Sequence, residues 1–180
     1  APFDQDQLGV FVVGDVSTYF RDRRRTANRI ARLIEDAAGA VSTEGGNVLV
    51  AFPSFDYLEI VHGAWRSNRP VVVQTRAMDD SARSAFVRQM NDAAFGGVGL
   101  AVMGGVFTES IDYDGAALNG VVVVGPGLPP PDLERETIAQ ASPDGPALAY
   151  LRPAMTRVVQ AAGRVVRATE DRGIVVLVDP

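Results

Sequence analysis

The sequence predicts a three-layer α/β domain, in which helices cover both faces of a mostly parallel sheet of about six strands. Six short segments are apolar along most of their length, as strands buried in a parallel sheet are. Segments with helical periodicity lie between most of them, and this alternation is typical of parallel sheets. The 180 residues, 47% of them hydrophobic, suffice for one sizeable core. Without internal repeats or a linker, residues 1–180 are predicted to form a single domain.

The first strand is predicted at residues 8–13, after an irregular entry segment. The arginine-rich run at residues 21–25 has two interpretations, a solvated face or a functional surface. A helix is predicted to begin at Thr26 and to stop at Gly39. Its inward side repeats at helical spacing and comprises Ile30, Leu33, Ile34 and Ala37.

The second strand is predicted at residues 47–52, and a second helix follows it. Ser54 has the side chain of a helix cap and is predicted to begin that helix. The residues that would point inward are Tyr57, Leu58 and Val61. His62 has no companion ligand or nucleophile, so we interpret it as a surface residue, and Trp65 as a packing residue.

Two adjacent aspartates follow the third strand, which is predicted at residues 71–73. Asp79 and Asp80 suit either a helix N-terminus, which favours acidic residues, or a metal ion. No third ligand lies near them in the sequence. We therefore favour the helix, which is predicted to run to Asn91.

The second half of the chain repeats the alternation of strands and helices. Strands are predicted at residues 97–103, 121–124 and 174–178. A loop is predicted at residues 104–112 and a short helix at residues 132–141.

The most informative stretch is a helix predicted from Leu151 to Arg167. Its apolar side comprises Leu151, Met155, Val158, Val159, Ala162, Val165 and Val166. Gln160, Arg164 and Arg167 form a stripe on the opposite side. Gly163 costs roughly 0.5–1 kcal/mol inside a helix, which is tolerable where a ligand approaches the backbone. Two guanidinium groups and an amide suit phosphate oxygens, and a solvated arginine face is the alternative.

Two missing residue types exclude whole classes of chemistry. The chain has no cysteine, which excludes disulfides, thiolate metal sites and cysteine nucleophiles. All 17 basic residues are arginine, so the chain cannot contain a P-loop, which requires lysine. The net charge of −5 argues against nonspecific nucleic-acid binding over the whole surface, although not against a local arginine track.

Ligands of sheets of this kind bind beyond the carboxyl ends of the strands. Three segments follow strands directly, namely residues 52–54, 74–76 and 104–112. We expect them to converge at one edge of the sheet. No apolar run approaches the ~20 residues that span a bilayer, and we expect a cytoplasmic protein that makes no membrane contact.

Three segments, in this order, resemble motifs of the second motor domain of DinG/XPD-like DNA helicases, which have two RecA-like motor domains. Residues 46–54 (GNVLVAFPS) are similar to motif IV. Residues 104–112 (GGVFTESID), with Gly115, are similar to motif V, although Ser110 stands where the family commonly has glycine. Residues 160–167 are similar to motif VI, Gln-x-x-Gly-Arg-x-x-Arg. The resemblance covers nearly the whole chain and implies a RecA-like fold.

The resemblance implies that ATP lies between two motor domains. The first motor domain, which is absent from this chain, would hold ATP and Mg²⁺ with a P-loop and an acidic motif. This chain would supply Arg164 and Arg167 as arginine fingers. Gln160 would approach the γ-phosphate or the attacking water, and Gly163 would lie against the nucleotide.

The same resemblance implies a connection from the nucleotide to single-stranded DNA. Glu109 and Asp112 would make this connection, although Asp112 has the alternative of anchoring its own turn. Candidates for contacts with DNA phosphates are Ser54, Thr108 and Arg76. The alternative for Ser54 is the helix cap, and the alternative for Arg76 is an exposed surface position.

We therefore expect the C-terminal motor domain of an ATP-dependent DNA helicase, with a first motor domain and single-stranded DNA as its partners. Without a P-loop, the isolated chain is expected to hydrolyse no ATP. One alternative is a non-catalytic RecA-like scaffold or docking module. Another is a free-standing doubly wound enzyme. This sequence shows neither a nucleophile–base pair nor the glycine fingerprint of a dinucleotide site, which argues against it.

Overall fold

The computed structural model describes residues 7–42, 45–165 and 171–180. Within them, one sheet contains β1 (Leu8–Val13), β2 (Asn47–Phe52), β3 (Val71–Val73), β4 (Val98–Val102), β5 (Leu118–Val124) and β6 (Gly173–Val178). The strand order is β1-β6-β5-β2-β4-β3, and each neighbouring pair is parallel. The α/β class is confirmed, and the largest difference from the predicted strands is that β5 begins earlier, at Leu118.

Helices cover both faces of this sheet. They are α1 (Arg23–Ser42), α2 (Phe55–Gly63), α3 (Asp80–Met90), α4 (Val106–Glu109), α5 (Leu133–Ala141) and α6 (Arg152–Ala162). Along β2, alternate side chains enter two separate hydrophobic clusters, because successive side chains of a strand point to opposite faces. The cluster on one face includes residues of α1 and α2, and the cluster on the other includes residues of α3, α4 and α6. The predicted three-layer arrangement is confirmed.

Helix α1 is longer at both ends than predicted. It begins at Arg23, inside the arginine-rich run, and continues through Gly39 to Ser42. The buried side continues as far as Val41, so packing against the sheet outweighs the cost of a glycine inside the helix. The hydroxyl of Ser42 donates to the carbonyl oxygen of Ala38 at 2.6 Å in the last turn.

Helix α6 differs more from its prediction. A π-helical turn (Ala147–Leu151) precedes it, and the helix ends at Ala162 instead of continuing to Arg167. Its buried side consists of Ala154, Val158 and Ala161. The predicted apolar side was wrong for three of its members, which are exposed: Leu151, Met155 and Val159. Small residues face the sheet here, and they allow the helix to lie close to it.

Asn47, at the start of β2, joins three elements from a fully buried position. Its Nδ2 donates to the carbonyl oxygens of Met90 at 3.1 Å and Asp92 at 2.9 Å. Its Oδ1 accepts from the backbone N–H of Gly97 at 3.0 Å. The side chain therefore fixes the end of α3 and the start of β4 against β2.

No helix within the described residues is both long enough and apolar enough to cross a membrane.

Candidate functional site

The segments that follow β2, β3 and β4 converge at one edge of the sheet, as predicted. These strands are neighbours, with β4 between the other two. The backbone N–H of Met103 donates to the carbonyl oxygen of Phe52 at 2.8 Å. Gln74 extends β3, and its Oε1 accepts from the backbone N–H of Val102 at 2.8 Å. The carboxyl end of β4 is therefore tied to both neighbouring segments.

The segment at residues 104–112 is not a plain loop as predicted, since it contains the short helix α4. Thr108 in this helix is 1% exposed. Its hydroxyl lies 3.2 Å from the carbonyl oxygens of both Val102 and Gly105, to which it donates. The hydroxyl closes the turn after β4 and is not available to a DNA phosphate in this structure, contrary to the prediction.

Arg164 connects the end of α6 to the segment that follows α4. Its Nη1 donates to the carbonyl oxygen of Ile111 at 2.9 Å, and its Nη2 donates to the carbonyl oxygen of Glu109. The residue lies in the turn after α6, so the prediction of a helical stripe was wrong for Arg164. The two carbonyl groups carry no net charge and leave the guanidinium positive.

Tyr113 lies beneath this connection and supports it. The side chain is buried, and its hydroxyl donates to the carbonyl oxygen of Phe107 at 2.9 Å. Burial raises the pKa of Tyr113 above its ordinary value, and the positive charge of Arg164 partly opposes this rise. The tyrosine is therefore neutral at physiological pH and anchors the segment at residues 107–113.

Four other predicted site residues lie on or near this connection. Gln160 is exposed on α6, and Gly163 is exposed at its C-terminal cap, not inside the helix as predicted. Asp112 is exposed beside Ile111. Glu109 is half-buried, and its Oε1 is buried without a hydrogen-bond partner within the described residues. Arg167 lies outside the residues that the structure describes.

Arg157 is a further cation at this site, and sequence reasoning did not single it out. Its Nε lies 3.5 Å from the point where a Cβ on Gly104 would stand, and Glu109 Oε1 lies 3.8 Å from the same point. The guanidinium thus lies against the backbone that leaves β4. The sequence signal was its position three residues before Gln160, which places both side chains on neighbouring parts of the helix surface.

The two remaining candidates for DNA contacts, Ser54 and Arg76, differ in whether a donor or a charge remains for a phosphate. Ser54 caps α2, since its Oγ accepts from the backbone N–H of Tyr57 at 3.3 Å, and its own proton remains a donor. Arg76 forms ion pairs with Glu59 and Asp56 and lies over the ring of Phe55, 5.0 Å from the centroid. These carboxylates neutralise Arg76, which supports its alternative as a surface residue.

The acidic pair after β3 has helix-terminal roles. Asp79 Oδ1 accepts from the backbone N–H of Ala82 at 2.8 Å, which makes Asp79 the cap of α3. Asp80 pairs with Arg83 at 3.2 Å. In the described ranges, no group of three or more His, Asp or Glu side chains is arranged to hold a metal ion.

Helicases are among the known proteins that are similar to this chain. The family model of the helicase C-terminal domain matches residues 38–180. The ATP-dependent DNA helicase CHL1 of Debaryomyces hansenii is 26% identical over 207 residues, covering 97% of this chain and 25% of that protein. The regulator of telomere elongation helicase 1 homolog of Drosophila sechellia is 28% identical over 207 residues, covering 98% of this chain and 21% of that protein. The chain therefore spans a quarter or less of these two relatives.

Solved structures show the same fold. The structure named XPD_Helicase superposes with a TM-score of 0.74 at 23% identity, covering 96% of this chain and 31% of that one. The structure named XPD_APO gives a TM-score of 0.72 at 25% identity, covering 96% of this chain and 36% of that one. The RecA-like fold is thus confirmed, and the chain belongs to the helicase C-terminal domain family, as the C-terminal domain of a DinG/XPD-like helicase.

Proposed function

We propose that this chain is the second motor domain of an ATP-dependent DNA helicase, and that it supplies arginine side chains to an ATP site completed by a first motor domain. The bridge from Arg164 to the carbonyl oxygens of Glu109 and Ile111 carries this proposal. It holds a guanidinium, which uses two of its five N–H donors on carbonyls, at the junction of the two segments that resemble motifs V and VI.

Nε of Arg164 is buried without a hydrogen-bond partner among the described residues, so the two Nη protons that the carbonyl groups leave over would meet the charge that develops on a transferring phosphoryl group. Arg167 follows it by three residues in the sequence, and we propose it as the second finger. Gln160 and Gly163 are exposed beside Arg164 and would face the same phosphate. ATP and Mg²⁺ would be held mainly by the first motor domain, because this chain has no lysine for a P-loop.

Coupling to DNA would run along the segment that Arg164 holds. Glu109 carries one of the two bonded carbonyl groups and Asp112 follows the other, and α4 connects this segment to the carboxyl end of β4. The backbone of Met103 there is bonded to Phe52, two residues before Ser54. A shift of Arg164 on nucleotide binding or hydrolysis would thus reach Ser54, whose hydroxyl proton is our proposed contact with a DNA phosphate.

The test is ATP turnover by a polypeptide that joins this chain to a first motor domain. Arg164→Ala and Arg164→Lys are each expected to lower the DNA-stimulated kcat by about 10³- to 10⁵-fold, because lysine restores charge but not the planar fork. Arg88→Ala, which removes an exposed arginine from α3, is the matched control and should turn over ATP normally. DNA-stimulated turnover near wild type in both Arg164 variants would refute the finger.

The isolated chain provides a second test of the proposal that it supplies only part of the ATP site. It is expected to hydrolyse no ATP above background with or without single-stranded DNA. Turnover that copurifies with the chain and disappears in the Arg164→Ala variant would show a complete site within these 180 residues and contradict the proposal.

A further inference from the structure

A cluster of aromatic and arginine side chains lies at the start of α1, outside the segments that resemble helicase motifs. Phe20 is 83% exposed and Tyr19 is 57% exposed, so two neighbouring aromatic rings face solvent. Arg21 and Arg24, beside them, are exposed as well. Exposed aromatics interleaved with arginines are the composition of surfaces that bind single-stranded nucleic acid.

Arg23 holds the ring of Phe20 from its inner side. Its guanidinium lies 5.3 Å from the centroid of Phe20 and 4.5 Å from the centroid of the buried ring of Tyr57. The cation is thus placed between a core tyrosine and an exposed phenylalanine. This arrangement orients Phe20 and leaves most of its surface open.

The cluster is attached to the same edge of the sheet as the candidate site. Arg23 donates to the carbonyl oxygen of Thr18 and to Ser54 Oγ, each at 3.5 Å. The hydroxyl of Thr18 in turn donates to Asp179, directly after β6. Arg23 therefore contacts both Phe20 and Ser54, which is our proposed contact with a DNA phosphate.

The groove next to Phe20 is positively charged, in contrast to the net charge of −5 of the whole chain. It has a volume of about 970 Å³, and its lining includes Arg21, Arg23, Arg24 and Arg66. Asp56 and Glu59 also line it, but both form ion pairs with Arg76. Arg21 also lies 4.0 Å from a carboxylate oxygen of Asp22, so Arg23, Arg24 and Arg66 supply most of the positive charge of the groove.

We infer that Tyr19 and Phe20 form a stacking platform for the bases of single-stranded DNA, and that Arg21 and Arg24 bind the phosphates beside those bases. The inference rests on the DNA-binding part of the proposed function. It adds a contact with bases to a surface for which only phosphate contacts were proposed. Binding through this platform requires no ATP.

The experiment measures binding of this chain, by fluorescence anisotropy at low salt, to two labelled oligomers of about 12 nucleotides. One is oligothymidylate, and the other has the same backbone with abasic sites throughout. Wild type is expected to bind oligothymidylate more tightly. Phe20→Ala should lower the affinity for oligothymidylate by about tenfold and leave the abasic oligomer unchanged, whereas Phe20→Trp should retain tight binding.

Arg24→Gln tests the phosphate contacts in the same assay. It should weaken binding of both oligomers equally and reduce the slope of log affinity against log salt by about 0.7. Matched controls are Leu133→Ala, which removes an 86% exposed apolar side chain from α5, and Arg88→Gln on α3. Neither control should change binding, and thermal unfolding should show that all variants are folded.

Three results would overturn the inference: equal affinity of wild type for both oligomers, unchanged oligothymidylate binding by Phe20→Ala, or no binding of either oligomer. Each is separate from failure of the motor proposal, which is measured as ATP turnover in Arg164 variants. If this chain prefers oligothymidylate to the abasic oligomer but the Arg164→Ala variant turns over ATP normally, the arginine-finger proposal is rejected. The inference of a stacking platform then still stands.

Discussion

Arg164 Nη1 lies 2.9 Å from the carbonyl oxygen of Ile111, a residue 53 positions earlier in the sequence. The bond joins the turn after α6 to the segment after α4, which are the two parts of the chain that resemble motifs VI and V. The position of the proposed finger, Arg164, thus depends on the conformation of the segment that leads toward DNA.

The bridge is expected to stabilise the domain in the absence of any ligand. Arg164→Ala should lower the free energy of unfolding of this chain by about 1–3 kcal/mol, because two carbonyl groups lose a charged donor. Arg164→Lys should recover only part of this loss, since an ammonium cannot reproduce the fork. The measurement is urea denaturation followed by circular dichroism, with Arg88→Ala as the control. Equal stability of wild type and both variants would show that the bridge contributes nothing.

The strands could be predicted because buried parallel strands leave a signal that depends on residue type alone. β2 and β3 have the predicted bounds, and each is flanked by residues that end strands. The ends of α1 and α6 were wrong because tertiary packing decides where a helix stops. Gly39 did not end α1, which continues to pack on the sheet, whereas α6 ends at Ala162 and Gly163 is its C-terminal cap.

The types of residue in the candidate site could be predicted from the sequence, but the residues that they contact could not. The sequence places Arg76 directly after β3, yet its two carboxylate partners come from α2, which only the fold brings near. Arg23 could not be distinguished from its neighbours in the arginine-rich run. Its position between two aromatic rings depends on how the start of α1 is placed against α2. Asn47 was missed because an asparagine at the start of a strand gives no sign of three distant backbone partners.

Replacing Thr108 should leave DNA binding unchanged, whereas replacing Ser54 should weaken it. Thr108→Val is expected to cost about 1 kcal/mol of stability, because it removes a buried donor and keeps the shape. It should leave the affinity of this chain for oligothymidylate unchanged. Ser54→Ala should cost about 0.5–2 kcal/mol through loss of the cap of α2 and should also weaken DNA binding. Anisotropy and urea denaturation measure the two effects, and weaker DNA binding by a folded Thr108→Val variant would restore Thr108 as a contact.

Two glycines should give opposite changes in stability when replaced by alanine. A Cβ on Gly173, at the start of β6, would overlap the carbonyl oxygen of Asn119 and the side chain of Val165. We expect Gly173→Ala to cost at least about 2 kcal/mol, because backbone must move. Gly39→Ala has no atom within 4 Å of the new Cβ and should stabilise α1 by about 0.5–1 kcal/mol. Thermal unfolding is the measurement, and a shift of the same sign in both variants would contradict this account.

Asp22 should make the edge of the sheet sensitive to acid. The hydroxyl of Ser17 donates to Asp22 Oδ2 at 2.7 Å, and this bond, with the charge of Arg25, lowers the pKa of Asp22 below its ordinary value of 3.8. Because the pKa is lower in the folded state, the stabilisation is present above pH 3.8 and is lost as the pH falls through the folded pKa. Ser17→Ala should therefore raise the pKa of Asp22 toward 3.8, as measured by an NMR titration of its carboxyl carbon. An unchanged pKa in that variant would mean that the arginine charge, not the hydroxyl, sets the titration, and Arg25→Gln would then produce the larger shift.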